Sequence, residues 1–169
     1  MARDKIWESL EDSLRETNER LREEGLLLVS AIPRGRPNAM AIGWGLIGRF
    51  WRDPFFMVAV RRSRFTHGLI EKSGQFTVNV PSPKMKKIVD FCGRVSGRDH
   101  DKFSEIGLIA TKSKRVSVPV ISECPIHYEC EVLFKSQVLP KALSSDIRKR
   151  WYRSKDYHTL YFGRILSVY

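Results

Sequence analysis

The chain has 169 residues, of which 42% are hydrophobic and 29% charged, a composition typical of a globular domain. No apolar run is long enough to cross a bilayer, and the N-terminus is too charged for a secretory signal, so we expect a cytoplasmic protein without a membrane partner. The net charge of +11 predicts affinity for phosphorylated ligands or other polyanions, without choosing among them.

The three cysteines are an odd number in a chain without a secretion signal, which indicates a reducing compartment. Cys124, His127 and Cys130 briefly resemble a metal cluster. In a strand, however, Cys124 and Cys130 would be separated by roughly 20 Å and His127 would point away from Cys130. We therefore expect buried structural cysteines and no metal site.

An amphipathic helix is predicted for residues 3–24. Trp7, Leu10, Leu14 and Leu21 recur at near-heptad spacing, and Gly25 follows as a natural stop. We expect residues 1–25 to form this helix and residues 26–169 to form the main domain. The apolar stripe is expected to cover either the domain or a second subunit.

Strands dominate the remainder of the chain. Runs with strand character cover residues 26–32, 39–47, 55–60, 75–80, 126–138 and 158–168, with shorter candidates at 108–111 and 116–121. The runs 39–47 and 55–60 are expected to form a hairpin with its turn at Asp53-Pro54. Short helices are predicted at 67–72, 83–91 and 147–153. Since strands and helices do not alternate regularly, this order favours an antiparallel barrel or sandwich with peripheral helices.

An anion site is predicted where the second run of this hairpin meets the helix at 67–72. Three guanidinium groups and two hydroxyls precede that helix, whose first N–H groups and dipole also favour a phosphate: Arg61, Arg62, Ser63, Arg64 and Thr66. A solvated strand end is the alternative for the arginines, and a helix N-cap is the alternative for Thr66.

An apolar wall is predicted on the first run of the hairpin. Asn38, Met40 and Trp44 share one face by the period-two rule, and this face suits a flat ring. Trp44 would equally fill a barrel core. Neither standard nucleotide-binding loop, GxGxxG or GxxxxGK[ST], occurs in the sequence.

An ordered set of segments along the chain resembles the flavin reductase-like, FMN-binding split-barrel family, which includes the flavoredoxins. The resemblance covers residues from about 26 to the C-terminus and depends on the order of the set, since no single segment is diagnostic. The segments are Asn38-Ala39-Met40 with Trp44, Asp53-Pro54, Arg61 with Ser63 and Thr66, residues 75–80, Ser96-Gly97 with Lys102-Phe103, Gly107-Leu108, residues 129–132, and His158 with residues 162–165.

The resemblance implies a mainly β protein, a six-stranded antiparallel Greek-key split barrel with peripheral helices. It also implies a homodimer with FMN near the subunit interface. The residues implied in cofactor binding are Asn38, Ala39, Met40 and Trp44 beside the ring, Arg61, Arg62, Ser63, Arg64 and Thr66 around the phosphate, and Lys102 and His158 near the flavin.

Two of these residues have simpler alternatives, and the chain departs from the family pattern twice. Lys102 lies next to Asp99 and Asp101, which suits a surface ion pair, and a lone histidine such as His158 is more often structural than catalytic. Ala41 stands where family members often have threonine, so one flavin hydrogen bond is expected to be missing. The chain ends soon after residues 162–165, so contacts from a longer C-terminal tail are expected to be absent.

The function implied by the resemblance is that of an FMN-binding oxidoreductase of the flavin reductase or flavoredoxin type. Hydride would come from NADH or NADPH, and no catalytic residue is assigned. An FMN-binding electron-transfer or flavin-storage protein without NAD(P)H activity is the first alternative, and a redox partner protein stays open. A basic nucleic-acid-binding barrel is disfavoured, because Phe55, Phe56 and Phe76 lie in apolar strand contexts rather than on a stacking surface.

Overall fold

The computed structural model describes residues 2–169, with side chains described from Lys5 onward. The helices are α1 (Ala2–Glu23), α2 (Phe65–Ser73), α3 (Lys86–Arg94), α4 (Lys102–Ile106) and α5 (Ser145–Trp151), with single 3₁₀ turns at Pro83–Met85 and Pro140–Ala142. The strands are β1 (Leu26–Ser30), β2 (Asn38–Ile42), β3 (Gly45–Phe50), β4 (Asp53–Arg61), β5 (Gln75–Val80), β6 (Ala110–Thr111), β7 (Val120–Ile121), β8 (Ile126–Gln137) and β9 (His158–Val168).

Seven strands form one antiparallel sheet in the order β2-β1-β5-β8-β9-β4-β3, and β6 and β7 form a separate pair. The expected mainly β architecture with peripheral helices is confirmed, but the main sheet has seven strands rather than six. The additional strand arises because the predicted run 39–47 is broken at Gly43 and Trp44. Its first half, β2, pairs with β1, whereas its second half, β3, pairs with β4 at the other end of the strand order.

The turn of the observed hairpin also differs from the prediction. β3 and β4 are joined at Trp51 and Arg52, whose φ angles of +46° and +67° are left-handed, as in the two-residue turns that suit the twist of a hairpin. Asp53 and Pro54 instead begin β4 and pair with the end of β3. The expected turn at Asp53-Pro54 is therefore wrong by two residues.

Helix α1 covers one side of the sheet. Leu10 is buried in the main core, where Trp7 and Leu14 pack beside it, and the Thr17 hydroxyl lies 2.7 Å from the Tyr128 hydroxyl on β8. Gly25 ends the helix at φ +93°, where a Cβ would meet the Ile42 carbonyl oxygen at 2.7 Å. Of the two expected positions for the apolar stripe, the structure shows it covering the domain.

Two hydrophobic clusters fill the molecule. The main core lies within the sheet and contains Phe56, Phe76 and Cys130. A second cluster lies under α3 and the residues before β8, and it contains Cys92 and Cys124. Cys124 and Cys130 thus belong to different cores, and all three cysteines are buried and unpaired.

Glu129 on β8 is a fully buried carboxylate, with 0% of its surface exposed. By strand alternation Glu129 lies on the face of β8 opposite the apolar one. Residues 114–116 cover the Glu129 side chain in the structure. Its oxygens accept hydrogen bonds from the backbone N–H groups of Lys114, Arg115 and Val116, and from the Tyr169 hydroxyl. Because every donor is directed at a negative charge, this side chain fastens an irregular segment to the sheet.

We expect Glu129→Gln to lower the free energy of unfolding by roughly 2–4 kcal/mol. Three backbone N–H groups would lose a carboxylate acceptor, and the glutamine NH2 group would point its hydrogens at some of these donors. Urea denaturation followed by far-ultraviolet circular dichroism measures this loss. Glu131→Gln is the matched control, because Glu131 is half-exposed and makes a single ion pair with Arg164. The control should change stability by less than about 1 kcal/mol, and equal losses in both variants would contradict the assignment.

Candidate functional site

Two adjoining clefts lie where β2 approaches the loop that follows β4. The first, called the aromatic cleft, has a volume of about 160 Å³ and is lined by residues 40–44 together with Ala59, Arg61, Arg64, Gly93 and His158. The second, called the cationic cleft, has about 110 Å³ and is lined by Asn38, Met40, residues 63–66, Cys92, Gly93, residues 95–98 and Lys102. Met40, Arg64 and Gly93 line both, so the two clefts form one elongated groove.

Trp44 follows the break between β2 and β3, and it lies in the aromatic cleft instead of a core. Its side chain is 36% exposed. Its ring centroid lies 4.7 Å from that of His158 and 5.2 Å from that of Trp151, which meets it edge to face. The barrel-core alternative for Trp44 is therefore wrong, because the chain leaves the sheet at this residue.

The predicted anion-binding residues in the loop between β4 and α2 make different contacts. Arg61 donates hydrogen bonds to the carbonyl oxygens of Asp156, at 2.7 Å, and Trp151, at 3.0 Å. The Ser63 hydroxyl donates to the Asp156 carboxylate at 2.5 Å. Both side chains thus hold residues 144–157, a segment that we call the strap, against the barrel.

Arg62 and Arg64 point to different places. Arg62 lines two other clefts, one beside His67 and Lys135 and the other beside the base of the strap, and it lines neither half of the groove. Arg64 lines both halves of the groove, and its side chain makes no hydrogen bond or ion pair within the described chain. Of the three arginines predicted for an anion, Arg64 is the one whose guanidinium faces the groove without a protein partner.

Asn38 and Thr66 meet in the wall of the cationic cleft. The Asn38 amide Nδ2 donates to the Thr66 hydroxyl at 2.9 Å, and Thr66 is not a helix N-cap, since that position belongs to Arg64. The Asn38 Oδ1 atom is buried and has no hydrogen-bond partner among the described residues. A Cβ on Gly97 would lie 2.0 Å from this oxygen, so only glycine fits beside it.

Lys102, at the start of α4, is only 3% exposed. Its ammonium donates to the carbonyl oxygens of Ala39 and Cys92, each at 2.8 Å, so the alternative of a surface ion pair with Asp99 or Asp101 is wrong. Ala39 is fully buried and contributes this carbonyl rather than a lining side chain. Burial lowers the pKa of Lys102, and Arg64 lowers it further, while Cys92 raises it.

His158, at the start of β9, pairs with Arg61 in the sheet and lines the aromatic cleft. Its Nδ1 atom lies 2.9 Å from the Tyr152 hydroxyl. Burial lowers the pKa of His158 to about 4, with contributions of the same sign from Arg61 and Arg64 and an opposing one from Asp156. At neutral pH the imidazole is therefore uncharged, and the positive charge of the groove comes from arginine and lysine.

Several residues of this site are not among those predicted. Arg98 lines the cationic cleft, where its guanidinium donates to the Ser63 carbonyl oxygen at 2.9 Å and lies over the Phe65 ring. Its position directly after Ser96-Gly97 could have indicated an anion-binding role, since a cation beside a glycine turn suits an anion. Trp151, Tyr152 and Asp156 carried no such signal, because nothing in their spacing relates the strap to β2 or β4.

Within residues 2–169 the structure contains no helix that is both long and apolar enough to cross a membrane. The side chains described from Lys5 onward also form no group of three histidine, cysteine or acidic residues close enough to hold a metal ion.

Comparisons with known proteins agree with this architecture. The family model of the flavin reductase like domain matches residues 21–169. An uncharacterized protein of Archaeoglobus fulgidus is 32% identical over 142 residues, which cover 84% of this chain and 69% of the relative.

Solved structures show the same fold. Flavoredoxin of Desulfovibrio vulgaris (Miyazaki F) is 26% identical, with a TM-score of 0.68 over 85% of this chain and 67% of that chain. A split barrel domain protein from Shewanella frigidimarina superposes with a TM-score of 0.69 over 91% of this chain and 71% of that chain, and at 15% identity it supports the fold alone. The split-barrel fold expected from the sequence is thereby confirmed, and the chain belongs to the flavin reductase-like domain family.

Proposed function

We propose that this protein binds FMN in the groove and acts as a flavin-dependent oxidoreductase that takes hydride from NADH or NADPH. The observation that carries the proposal is the continuity of the aromatic and cationic clefts. One half offers tryptophan and a neutral histidine to a flat ring, and the other offers Arg64, Arg98 and Lys102 to a phosphate. A phosphorylated flavin has this same division between an apolar and an anionic end.

The phosphate would be held by Arg64 and Arg98, together with the N–H groups at the start of α2. Arg61 and Ser63 would support the phosphate loop indirectly by holding the strap. Arg62 would not take part, because it lines other clefts. This assignment changes the predicted phosphate set from five residues of a single loop to cations drawn from two separate segments.

The buried Asn38 Oδ1 atom tests whether the groove fits a flavin nucleotide rather than a simple anion. An amide oxygen accepts hydrogen bonds, so its missing partner is a donor, a role that an unprotonated phosphate oxygen does not fill. A flavin nucleotide carries hydroxyl and N–H donors on the same molecule as its phosphate. The residues present therefore fit such a ligand better than they fit phosphate or sulfate alone.

A bound flavin would supply the hydride and electron chemistry, and the protein would supply binding, orientation and charge. Lys102 has three ammonium hydrogens and uses two on Ala39 and Cys92, so the third is left for a ligand in the cationic cleft. The strap places Trp151 over Trp44 and so limits the access of water to the aromatic cleft. These roles require no side chain that forms a covalent bond or abstracts a proton.

The outer face of the strap supports a dinucleotide as the electron donor. An open cleft of about 490 Å³ there is lined by four cations and two tyrosines, with no carboxylate among the lining residues: Arg148, Lys149, Arg153, Lys155, Tyr152 and Tyr157. The tyrosine rings stack at 5.0 Å. Such a surface suits the phosphates of NADH or NADPH. Electron transfer without NAD(P)H is the competing function.

We propose that a second copy of this chain covers the tip of the β3–β4 hairpin. Phe50, Trp51 and Phe134 are each more than 40% exposed there, and their rings contact one another and Phe162 at centroid distances between 4.3 and 5.9 Å. An aromatic cluster of this kind is typical of a protein interface. A homodimer is also what membership of this family leads us to expect.

We also propose a cytoplasmic location. Burial raises the pKa of the Cys92 thiol to about 11 and that of Cys124 to about 12, so both are protonated and unreactive at neutral pH. Unpaired cysteines of this kind are typical of proteins in a reducing compartment.

For the flavin site, we expect purified protein to bind FMN at micromolar concentration, with quenching of flavin fluorescence. Arg64→Ala and Arg98→Ala should each weaken binding about 10- to 100-fold, because each removes a charge-assisted contact to the phosphate. Arg62→Ala is the control, since it removes the same charge from a neighbouring position outside the groove. Equal weakening by all three variants, or no binding by the wild type, would contradict the site.

For the electron donor, we expect anaerobic NADPH or NADH to bleach the flavin absorption. Arg148→Glu with Arg153→Glu should raise KM about tenfold or more and leave kcat nearly unchanged, because both side chains lie on the outer cleft. Lys84→Glu with Lys87→Glu changes the net charge equally at exposed positions on and before α3. A flavin that binds but is never reduced would favour the electron-transfer alternative, and equal effects of both double variants would mean that overall charge alone acts.

For the dimer, we expect Trp51→Lys to convert the protein to a monomer, as measured by sedimentation velocity. The lysine would place a charge within the aromatic cluster that the second copy covers. Ile109→Lys is the control, because Ile109 is about as exposed as Trp51 but lies directly before β6, away from the hairpin tip. A wild-type protein that is monomeric at all accessible concentrations would overturn the proposal.

A further inference from the structure

Tyr152 and His158 form a buried pair beside the aromatic cleft, which His158 lines. Tyr152 is 6% exposed and His158 8% exposed. The tyrosine hydroxyl lies 2.9 Å from His158 Nδ1, and it makes no other hydrogen bond within the described chain. The opposite ring nitrogen, Nε2, has no hydrogen-bond partner within the described chain and keeps some exposed surface, on a residue that lines the aromatic cleft.

The position of the single hydrogen on the neutral imidazole follows from the tyrosine. If Nδ1 carried the hydrogen and donated to Tyr152, the phenol hydrogen would be left buried without an acceptor, which costs about 1–3 kcal/mol. If Tyr152 donates to Nδ1, its hydrogen is satisfied and the imidazole hydrogen must lie on Nε2. Burial raises the pKa of Tyr152, so the phenol keeps its hydrogen at neutral pH.

We propose that Tyr152 is a positioning residue that fixes His158 as the Nε2–H tautomer, so that the ring presents an uncharged hydrogen-bond donor to the aromatic cleft. The acceptor would be a carbonyl oxygen or ring nitrogen of the flat ligand. Its identity as a flavin rests on the proposed function, whereas the tautomer does not. A neutral donor orients a ring acceptor without adding a third positive charge beside Arg61 and Arg64.

The surrounding contacts hold Tyr152 in place for this role. Arg61 binds the carbonyl oxygen of Trp151, the residue directly before Tyr152, and its guanidinium lies 5.5 Å from the centre of the Tyr152 ring. Tyr157 stacks on the same ring, with the ring centroids 5.0 Å apart. The charged groups that influence His158 are Arg61, Arg64 and Asp156, and none of them is within hydrogen-bonding distance of its ring nitrogens.

The test is ¹⁵N NMR of the histidine side chains at pH 7 in protein without flavin. Nitrogen shifts distinguish a protonated ring nitrogen from an unprotonated one, and His158→Gln identifies the His158 signals among the four histidines. We expect the wild type to carry hydrogen on Nε2 alone. Tyr152→Phe, which removes a single oxygen atom, should produce a mixture of both tautomers. A wild-type ring protonated on Nδ1, or an unchanged tautomer in Tyr152→Phe, would overturn the proposal.

Tyr157→Phe is the matched control. It also removes one tyrosine hydroxyl, but this hydroxyl makes no hydrogen bond within the described chain, and the ring stacked on Tyr152 is kept. It should leave the His158 tautomer unchanged, and circular dichroism should show both variants folded. In titrations with FMN, Tyr152→Phe should weaken binding about threefold to tenfold, and Tyr157→Phe should not. Absence of FMN binding by the wild type would defeat the proposed function but leave the tautomer result intact, whereas equal affinities of wild type and Tyr152→Phe would remove the ligand role of the donor.

Discussion

The pair of hydrogen bonds from Arg61 to the strap is the interaction on which the rest of the site depends. The guanidinium binds the carbonyl oxygens of Trp151 and Asp156, and these residues are 90 and 95 positions away in the chain. A planar guanidinium has several donors in fixed geometry and satisfies two carbonyl oxygens from one side chain. Without it, Trp151 would lose its position over Trp44, and Tyr152 would lose its position at His158.

This arrangement explains why a cationic loop can be assigned from sequence while its division of labour cannot. A run of arginines before a helix predicts an anion site from local chemistry alone. Which arginine faces the ligand depends on what packs against the loop, and here the strap occupies Arg61 and Ser63. Arg64 is left for the groove because no segment of the described chain approaches it with an acceptor.

The same distinction between local and long-range information applies to the fold. The long strands β5, β8 and β9 were predicted closely, since alternation and flanking turn residues are local signals. The break at Gly43 and Trp44 was missed, because the apolar run continues through it and only pairing reveals that β2 and β3 have different neighbours. The burial of Lys102 and Glu129 was not predicted for a related reason, since charged residues are normally exposed and their burial depends on distant backbone groups.

Lys102 and Glu129 show how the fold uses buried charge. Each side chain is enclosed and satisfied chiefly by main-chain groups, with two carbonyl oxygens around the ammonium and three N–H groups around the carboxylate. Neither forms an ion pair, and hydrogen bonds to main-chain groups take that place. Each side chain thereby fastens irregular backbone that a hydrophobic residue could not hold. The two side chains differ in their remaining hydrogen-bonding capacity. Glu129 accepts a further hydrogen bond from the Tyr169 hydroxyl, whereas Lys102 lines the cationic cleft and has one ammonium hydrogen without a protein acceptor. The same structural device therefore stabilises the barrel at one position and leaves a fixed positive charge in the groove at the other.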